Sequence, residues 1–222
     1  MSDRILALIP AYNESAHVAD VVTRTRPHVS EVIVIDDGST DQTAVVAHAA
    51  GATVVRHERN QGKGAAIVTA LEYFRNSAAA YAVFLDADGQ HDPAEIAAFI
   101  TAAHQPGVAL VVGTRMQHTE TMPPQRRLAN RLTSWLTSKL ARQSIPDSQC
   151  GYRLLTRAAL ADLHLATAHF ETETEMLIQV GKAGHTIASV PIRTIYEKAH
   201  ASHIRPLRDT VRFLTLVRKY LF

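Results

Sequence analysis

Residues 82–103 read AVFLDADGQHDPAEIAAFITAA, which is an apolar run, an acidic turn and a second apolar run. The first run, Ala82 to Asp86, is short and almost continuously apolar, as is typical of a buried strand. The second run, Ala94 to Ala103, has the spacing of a helix. A strand followed by such a helix is the repeating unit of an α/β fold with a mostly parallel sheet.

The same alternation recurs through the first half of the chain. Further strands are predicted at Ile5 to Ile9, Val32 to Asp36, Thr53 to Val55 and Leu110 to Thr114. Further helices are predicted at Thr43 to Ala50 and Ala65 to Phe74. Strand, helix and strand at this spacing imply right-handed crossovers and a central sheet with helices on both faces.

The 222 residues are 46% hydrophobic and 20% charged, a composition typical of a globular protein. We predict one domain over residues 1–200 and a C-terminal amphipathic helix over residues 201–222. The single cysteine, Cys150, excludes an intramolecular disulfide framework and favours the reducing cytoplasm. Because no apolar run approaches the roughly 18 to 20 residues that span a bilayer, an integral membrane protein is not expected.

Charge is distributed unevenly along the chain. Residues 1–114 carry a net charge of −6 and residues 115–222 a net charge of +8, although the whole chain carries only +2. The acidic half suits a cation, and the basic half suits phosphate groups or an anionic surface. A nucleic-acid partner is not expected.

The C-terminal segment has two different sides when it is drawn as a helix. Its apolar stripe is formed by Leu207, Val211, Leu214, Val217 and Leu221, and its basic side by Arg205, Arg208, Arg212 and Lys219. This pattern suits a helix that lies on an anionic membrane surface at the inner face of the membrane. A helix that packs its apolar stripe against the domain is the alternative.

Each of the five predicted strands is followed by a polar motif. In chain order these motifs are PAYNES, DDGSTD, HERNQGKG, DADGQHD and GTR. Open α/β sheets bind ligands at the carboxyl ends of their strands, so five such loops predict one site. The same polar residues and glycines would also suit helix caps and tight turns.

The acidic turn of the opening stretch places three aspartates within seven positions. Because like charges this close repel each other, a positive partner is expected, and a divalent metal is the first candidate. The turn is not an EF-hand loop, since its sixth position is His91 and its twelfth is Ala97. A phosphatase of the haloacid dehalogenase type, with Asp86 as nucleophile, is an alternative, although Gln90 stands where that family has threonine or valine.

The motifs PAYNES, VIDDGSTD, NQGKGAA, FLDADGQHDP, GTR and DSQCGYR together resemble those of the family 2 glycosyltransferases, within them the dolichyl- or polyprenyl-phosphate hexosyltransferases. The resemblance implies a GT-A fold and transfer of a hexose from a UDP- or GDP-sugar to an acceptor, with polyprenyl phosphate expected. Because no arrangement for a covalent nucleophile is evident, we predict inversion at the anomeric carbon. A non-catalytic nucleotide-sugar binder remains the other class.

The resemblance also implies roles for individual residues. A metal, Mg²⁺ or Mn²⁺, would be held by Asp86, Asp88 and Gln90. Asp37 would accept a hydrogen bond from the base, and the arginines would bind phosphate through their planar forks. The implied donor-binding residues are Pro10, Tyr12, Glu14, Asp37, Ser39, Lys63, Asp86, Ala87, Asp88, Arg115, Arg126 and Arg127. For Lys63 a solvated side chain is the alternative.

The acceptor side is less well determined by the sequence. The predicted catalytic residues are Asp147, Glu173 and Asp88, and Asp147 is the first candidate for a base because it opens DSQCGYR. An anionic phosphate acceptor would need no base. Within FETETEML, an extended entry to a helix over Met176 to Ala183 is one interpretation, and an acid-rich helix N-terminus is the other.

Overall fold

Strands and helices alternate along the chain in the computed structural model, which describes residues 3–116, 124–193, 195 and 206–221, without the side chains of Pro124, Arg126, Pro206 and Leu207. The strands are β1 (Ile5–Ala11), β2 (Glu31–Asp36), β3 (Thr53–Arg56), β4 (Tyr81–Phe84), β5 (Val108–Thr114), β6 (Arg153–Thr156) and β7 (Thr186–Pro191). The helices are α1 (Val18–Thr25), α2 (Thr43–Ala49), α3 (Lys63–Arg75), α4 (Ile96–Ala103), α5 (Pro124–Ala141), α6 (Arg157–Leu160), α7 (Glu171–Lys182) and α8 (Pro206–Leu221).

The seven strands form one sheet in the order β3-β2-β1-β4-β6-β5-β7. Strand β1 pairs in parallel with β2 and β4, β2 with β3, and β5 with β7. Strand β6 lies between β4 and β5 and is antiparallel to both. The predicted α/β class with a mostly parallel sheet is therefore confirmed.

All five predicted strands are present, and the apolar runs of β1, β2, β4 and β5 lie in the core. Residues Leu6 to Ile9, Ile33 to Ile35 and Leu110 to Val112 are completely buried, as expected for strands covered on both faces. Strands β6 and β7 were not predicted. The first has only four residues, and in the second only Ile187 and Val190 are buried.

The register of the central strands brings the polar motifs to one edge. Ala11 of β1 pairs with Asp36 of β2, and Leu8 of β1 pairs with Phe84 of β4. Because these strands are parallel, the loops that follow them leave the sheet on the same side. The carboxyl ends of β1, β2 and β4 therefore surround one site, as the motifs predicted.

The C-terminal helix forms, and Val217 of its predicted apolar stripe packs on the domain. Helix α8 contacts α5 and α7 mainly through Leu216 and Val217, which are buried with Leu140 and Ile178. Val211, Leu214 and Leu221, from the predicted stripe, are exposed. The domain boundary at residue 200 lies outside the described residues and stays a prediction. In the part of the chain that the structure describes, no helix is long and apolar enough to cross a bilayer.

Candidate active site

The acidic turn after β4 is held by its own backbone and by His91. The Asp86 backbone N–H donates to His91 Nδ1 at 3.2 Å, and the Gln90 N–H donates to Asp88 Oδ1 at 3.0 Å. Gly89 has a φ of 76°, a conformation that favours glycine. The turn therefore presents Asp86 and Asp88 from a defined backbone at the edge of the sheet.

Lys63 joins two of the predicted site carboxylates. Its Nζ lies 2.6 Å from Asp86 Oδ1 and 3.4 Å from Glu173 Oε1. Gly151 lies beside both, since a Cβ there would be 2.8 Å from Asp86 Oδ2 and 3.1 Å from Glu173 Oε1. The first turns of α3 and α7 and the DSQCGYR loop thus meet at the acidic turn. A small cavity beside this cluster is lined by Pro10 among others.

The charges in this cluster are unevenly balanced. Burial alone would raise the pKa of Asp86, but the Lys63 ammonium and then His91 outweigh it and lower that pKa well below its usual range. Burial alone would lower the pKa of Lys63, but Asp86 and Glu173 raise it above its ordinary value. Burial and then the charge of Asp86 raise the pKa of Asp88. A further cation beside Asp88 would relieve this repulsion.

A divalent metal fits the pair formed by Asp86 and Asp88. Mg²⁺ and Mn²⁺ prefer oxygen ligands, and Mg²⁺ commonly takes only one or two carboxylates from the protein and the rest from water and phosphates. Within the described residues, no group of three or more His, Cys, Asp or Glu side chains could hold a metal alone. Gln90 forms hydrogen bonds through its backbone, whose oxygen accepts from the Ile195 N–H at 3.0 Å. Its role as a third ligand stays a prediction.

Asp37 lies at the edge of the site, but its carboxylate is used by the protein itself. Its Oδ1 accepts from His57 Nδ1 at 2.7 Å and from the Gln61 N–H at 2.9 Å. Its Oδ2 accepts from the Gly62 N–H at 2.8 Å, and the residue is only 2% exposed. This geometry favours a structural role for Asp37, which holds the glycine loop (residues 60–64), over its predicted contact with a nucleobase.

The loops after β1 and β2 are also bonded to each other. Ser39 Oγ accepts from the Asn13 N–H at 2.9 Å, and the Glu14 N–H donates to Thr43 Oγ1 at 2.8 Å. Ser39 is buried, whereas Tyr12 and Glu14 are partly exposed. The predicted donor-binding residues at this edge are Pro10, Tyr12, Glu14, Ser39 and Ala87, and their contacts with a donor stay predictions.

Asp147 does not lie free beside an acceptor, as its role as a base would require. It is fully buried, and its carboxylate accepts from Arg115 Nε at 2.8 Å, Arg115 Nη2 at 3.0 Å and Asn130 Nδ2 at 2.9 Å. Burial would raise the pKa of Asp147, but these bonds, led by Arg115, lower it. The geometry therefore argues against a base and favours a residue that positions Arg115.

This pairing also changes the interpretation of the arginines. The fork of Arg115, predicted to bind phosphate, is already engaged by the Asp147 carboxylate in a two-point contact. Arg127 lies partly exposed in the first turn of α5. The side chain of Arg126 lies outside the described part of the chain. Phosphate contacts by these three arginines stay predictions.

Helix α7 begins earlier than the extended interpretation of FETETEML requires. It runs from Glu171, so the extended entry before Met176 is wrong and the acid-rich helix N-terminus is confirmed. Acidic residues in a first turn are stabilised by the helix dipole. Because the segment is helical, Glu173 and Glu175 point in different directions. Glu173 reaches Lys63, whereas Glu175 bonds with α8.

Arg153 was missed by the sequence analysis and supports the site from inside. It is 1% exposed, and its guanidinium donates to the backbone oxygens of Cys150 at 2.8 Å, Ser148 at 2.9 Å and Glu173. It therefore ties the DSQCGYR loop to the start of α7. Burial raises the pKa of the free Cys150 thiol to about 12, which leaves it unreactive.

Comparisons with known proteins agree with this geometry. A family model described as "Glycosyl transferase family 2" matches residues 7–163. A UDP-N-acetylglucosamine–dolichyl-phosphate N-acetylglucosaminyltransferase from Methanococcus voltae is 33% identical over 220 residues, covering 88% of each chain. A polyprenol monophosphomannose synthase from Mycolicibacterium smegmatis is 28% identical over 206 residues, covering 86% of this chain and 77% of that protein.

A solved structure supplies the corresponding comparison in three dimensions. It is Mycobacterium tuberculosis glucosyl-3-phosphoglycerate synthase in complex with Mn²⁺ and UDP-glucose. The two chains are 26% identical with a TM-score of 0.71, and the match covers 99% of this chain and 78% of that one. The architecture described above is therefore shared with an enzyme that binds a nucleotide sugar.

Proposed function

Because this chain belongs to glycosyl transferase family 2 and has the GT-A fold, we propose that it transfers a hexose from a UDP- or GDP-sugar to a polyprenyl phosphate, with inversion and with Mg²⁺ or Mn²⁺. Family membership makes the chain a glycosyltransferase and overturns the phosphatase alternative. The relatives are named as transferases, which also overturns the non-catalytic binder.

The cluster of Asp86, Asp88, Lys63 and Glu173 is the observation that carries this proposal. Asp86, Asp88 and Gln90 would hold the metal, and the remaining ligands would come from the donor phosphates. When bound, the metal stabilises the negative charge that gathers on the departing diphosphate. Lys63 supplies a second positive charge at the same place, 2.6 Å from Asp86.

Among the described residues of this cluster, Glu173 contributes a carboxylate from outside the acidic turn. For a hydroxyl acceptor, it would be better placed than Asp147 to accept a proton, because Asp147 is fully buried and hydrogen-bonded. A phosphate acceptor is already anionic and needs no such base. For the proposed lipid phosphate, Glu173 therefore serves to hold Lys63 beside Asp86.

Two features favour a lipid-linked acceptor, which we propose the protein reaches from the cytoplasmic face. The relatives above are named for dolichyl phosphate and polyprenol. Helix α5 also exposes Leu128, Leu132 and Trp135 at helical spacing, and it contains basic residues but no acidic residue. Exposed apolar side chains with basic neighbours suit peripheral contact with an anionic membrane.

Calorimetry tests the donor and the metal together. We expect the protein to bind UDP or GDP with Mn²⁺ present and to lose at least tenfold in affinity with excess EDTA, because the diphosphate and carboxylates repel each other without a cation. Equal binding with EDTA would contradict the metal assignment, and no binding of either nucleotide would contradict the function. Proton NMR of the product would test inversion, which a retained anomeric configuration would refute.

Sedimentation with vesicles tests the membrane contact. The protein should pellet with anionic vesicles at low salt and less at high salt. Trp135→Ser should weaken this binding, while Val45→Ser, which changes a similarly exposed residue on α2, should not. If the wild type stays in the supernatant, or both variants behave alike, the α5 surface is not the membrane contact.

A further inference from the structure

Glu175 is a fully buried carboxylate that lies outside the Lys63 cluster. Its Oε2 accepts from the Ala166 N–H at 2.9 Å, the Thr167 N–H at 3.0 Å and Thr167 Oγ1 at 2.8 Å. Its Oε1 accepts from Lys219 Nζ at 2.9 Å and the Tyr220 hydroxyl at 3.1 Å. One carboxylate therefore joins α8 to the segment 164–169, which precedes α7.

The segment 164–169 packs tightly on the glycine loop (residues 60–64) and on the first residues of α3. The Ala65 N–H donates to the Ala168 oxygen at 3.1 Å. A Cβ on Gly62 would lie 2.3 Å from His169 Nδ1, and one on Gly64 would lie 2.4 Å from the Ala168 carbonyl carbon. These approaches leave no space between the two segments. Because Gly62 and Gly64 flank Lys63, the segment determines where the lysine stands.

The bonds to Glu175 depend on one another. Burial would raise its pKa, but the bonds from Lys219 and from Thr167 outweigh this and lower it, so the carboxylate is charged. The hydrogen bond to Glu175 in turn raises the pKa of Lys219. A buried charge that loses a partner is strongly unfavourable, so loosening Lys219 also weakens the hold on Thr167. The helix and the segment are thereby coupled.

We propose that Glu175 is a positioning residue that links α8 to the donor site. It anchors the segment 164–169 against the glycine loop, and Lys219 and Tyr220 complete the anchor from α8. Detachment of α8 then frees the glycine loop and withdraws Lys63 from Asp86. The expected effect on nucleotide affinity rests on the proposed function, because that function identifies the donor. The coupling between α8 and the glycine loop does not depend on the proposed function.

Hydrogen–deuterium exchange tests the coupling without any ligand. In Lys219→Met/Tyr220→Phe, we expect faster exchange in peptides that cover residues 62–70 and 164–170 as well as in α8. Arg218→Met removes a neighbouring exposed charge from the same helix and should leave those peptides unchanged. Lys219→Arg with Tyr220 kept should restore wild-type exchange. Faster exchange confined to α8, or no change at all, would overturn the proposal.

Nucleotide affinity gives a second measurement that a purely structural role would not change. With Mn²⁺ and UDP or GDP, well below the melting temperature, the double variant should bind about threefold to tenfold more weakly than Arg218→Met. Unchanged affinity together with faster exchange at residues 62–70 would overturn the link to the donor site. If the wild type binds neither nucleotide, the proposed function fails, and the exchange experiment still decides whether Glu175 couples the two segments.

Discussion

The acidic turn after β2, residues 36–41, and the acidic turn after β4, residues 86–92, have similar sequences but bind different partners. In the first, the Ser39 N–H donates to Asp36 at 3.0 Å, and the Gln61 and Gly62 N–H groups donate to Asp37. In the second, the main partner of Asp86 is the ammonium of Lys63. Asp36 and Asp37 thus accept mostly from backbone N–H groups, together with the side chains of Arg56 and His57, whereas Asp86 pairs with a lysine ammonium.

We interpret the first turn as part of the scaffold and the second as part of the proposed reactive site. Backbone donors cannot be exchanged without moving the chain, so Asp37 contributes to stability by holding a loop. The ammonium of Lys63 is carried on a flexible side chain, so the Asp86 carboxylate that it contacts can also bind another cation. Asp86 and Asp88 are therefore suited to a metal and a donor. Substitutions in the first turn should therefore affect mainly stability, and substitutions in the second mainly activity.

The largest expected effect is on activity and lies in the second turn. Asp88→Ala should reduce turnover about 100- to 1000-fold, because metal stabilisation of a leaving group contributes several kcal/mol. Its melting temperature without metal should change little, since the substitution removes one of two repelling carboxylates. The half-exposed Asp162, paired with His185, offers Asp162→Ala as a control that keeps full activity. Full turnover in Asp88→Ala would contradict the assignment of catalytic activity to the second turn.

The next effect is on stability and lies in the first turn. Asp37→Ala should lower the free energy of unfolding by about 2 to 4 kcal/mol, because it leaves the partly buried N–H groups of Gln61 and Gly62 without an acceptor and removes the partner of His57. Urea denaturation measures this change. Glu58→Ala, at an exposed position nearby in the chain, should stay within about 0.5 kcal/mol of the wild type. Equal losses in both variants would show that Asp37 does not hold the loop.

The smallest effect is a pH dependence at Asp41, also in the first turn. Burial would raise its pKa, but hydrogen bonds from Thr43 and Ser15 lower the pKa from 3.8 to about 2. Because the folded pKa lies below the unfolded one, the carboxylate stabilises the fold above pH 3.8. That stabilisation is lost as the pH falls toward 2.

Urea denaturation of the wild type and Asp41→Asn at pH 5 and pH 2.5 measures this dependence. The wild type should be the more stable at pH 5, and the gap between the two should narrow at pH 2.5. A gap of the same size at both values would show that ionised Asp41 contributes nothing to the fold.

Much of the fold and part of the site could be predicted from the sequence. The runs that became β1, β2, β4 and β5 are apolar enough to be recognised as buried strands, and the motifs after them lie at one edge. This works because period and composition are local properties, and because parallel strands must end on the same side. The crowded charges of the acidic turn likewise predict a cation site, and that site stays a prediction.

The roles of individual carboxylates depend on tertiary structure instead. Asp147 and Asp37 have polar neighbours in sequence like those of Asp88, but distant N–H groups surround them only in the fold. Similarly, α8 packs through Leu216 and Val217 because α5 and α7 meet that side. The sequence by itself determined the sheet, its edge and the presence of acidic groups there. Only the tertiary structure decided which acids are bound and which remain reactive, because each carboxylate's energy depends on donors brought from far along the chain.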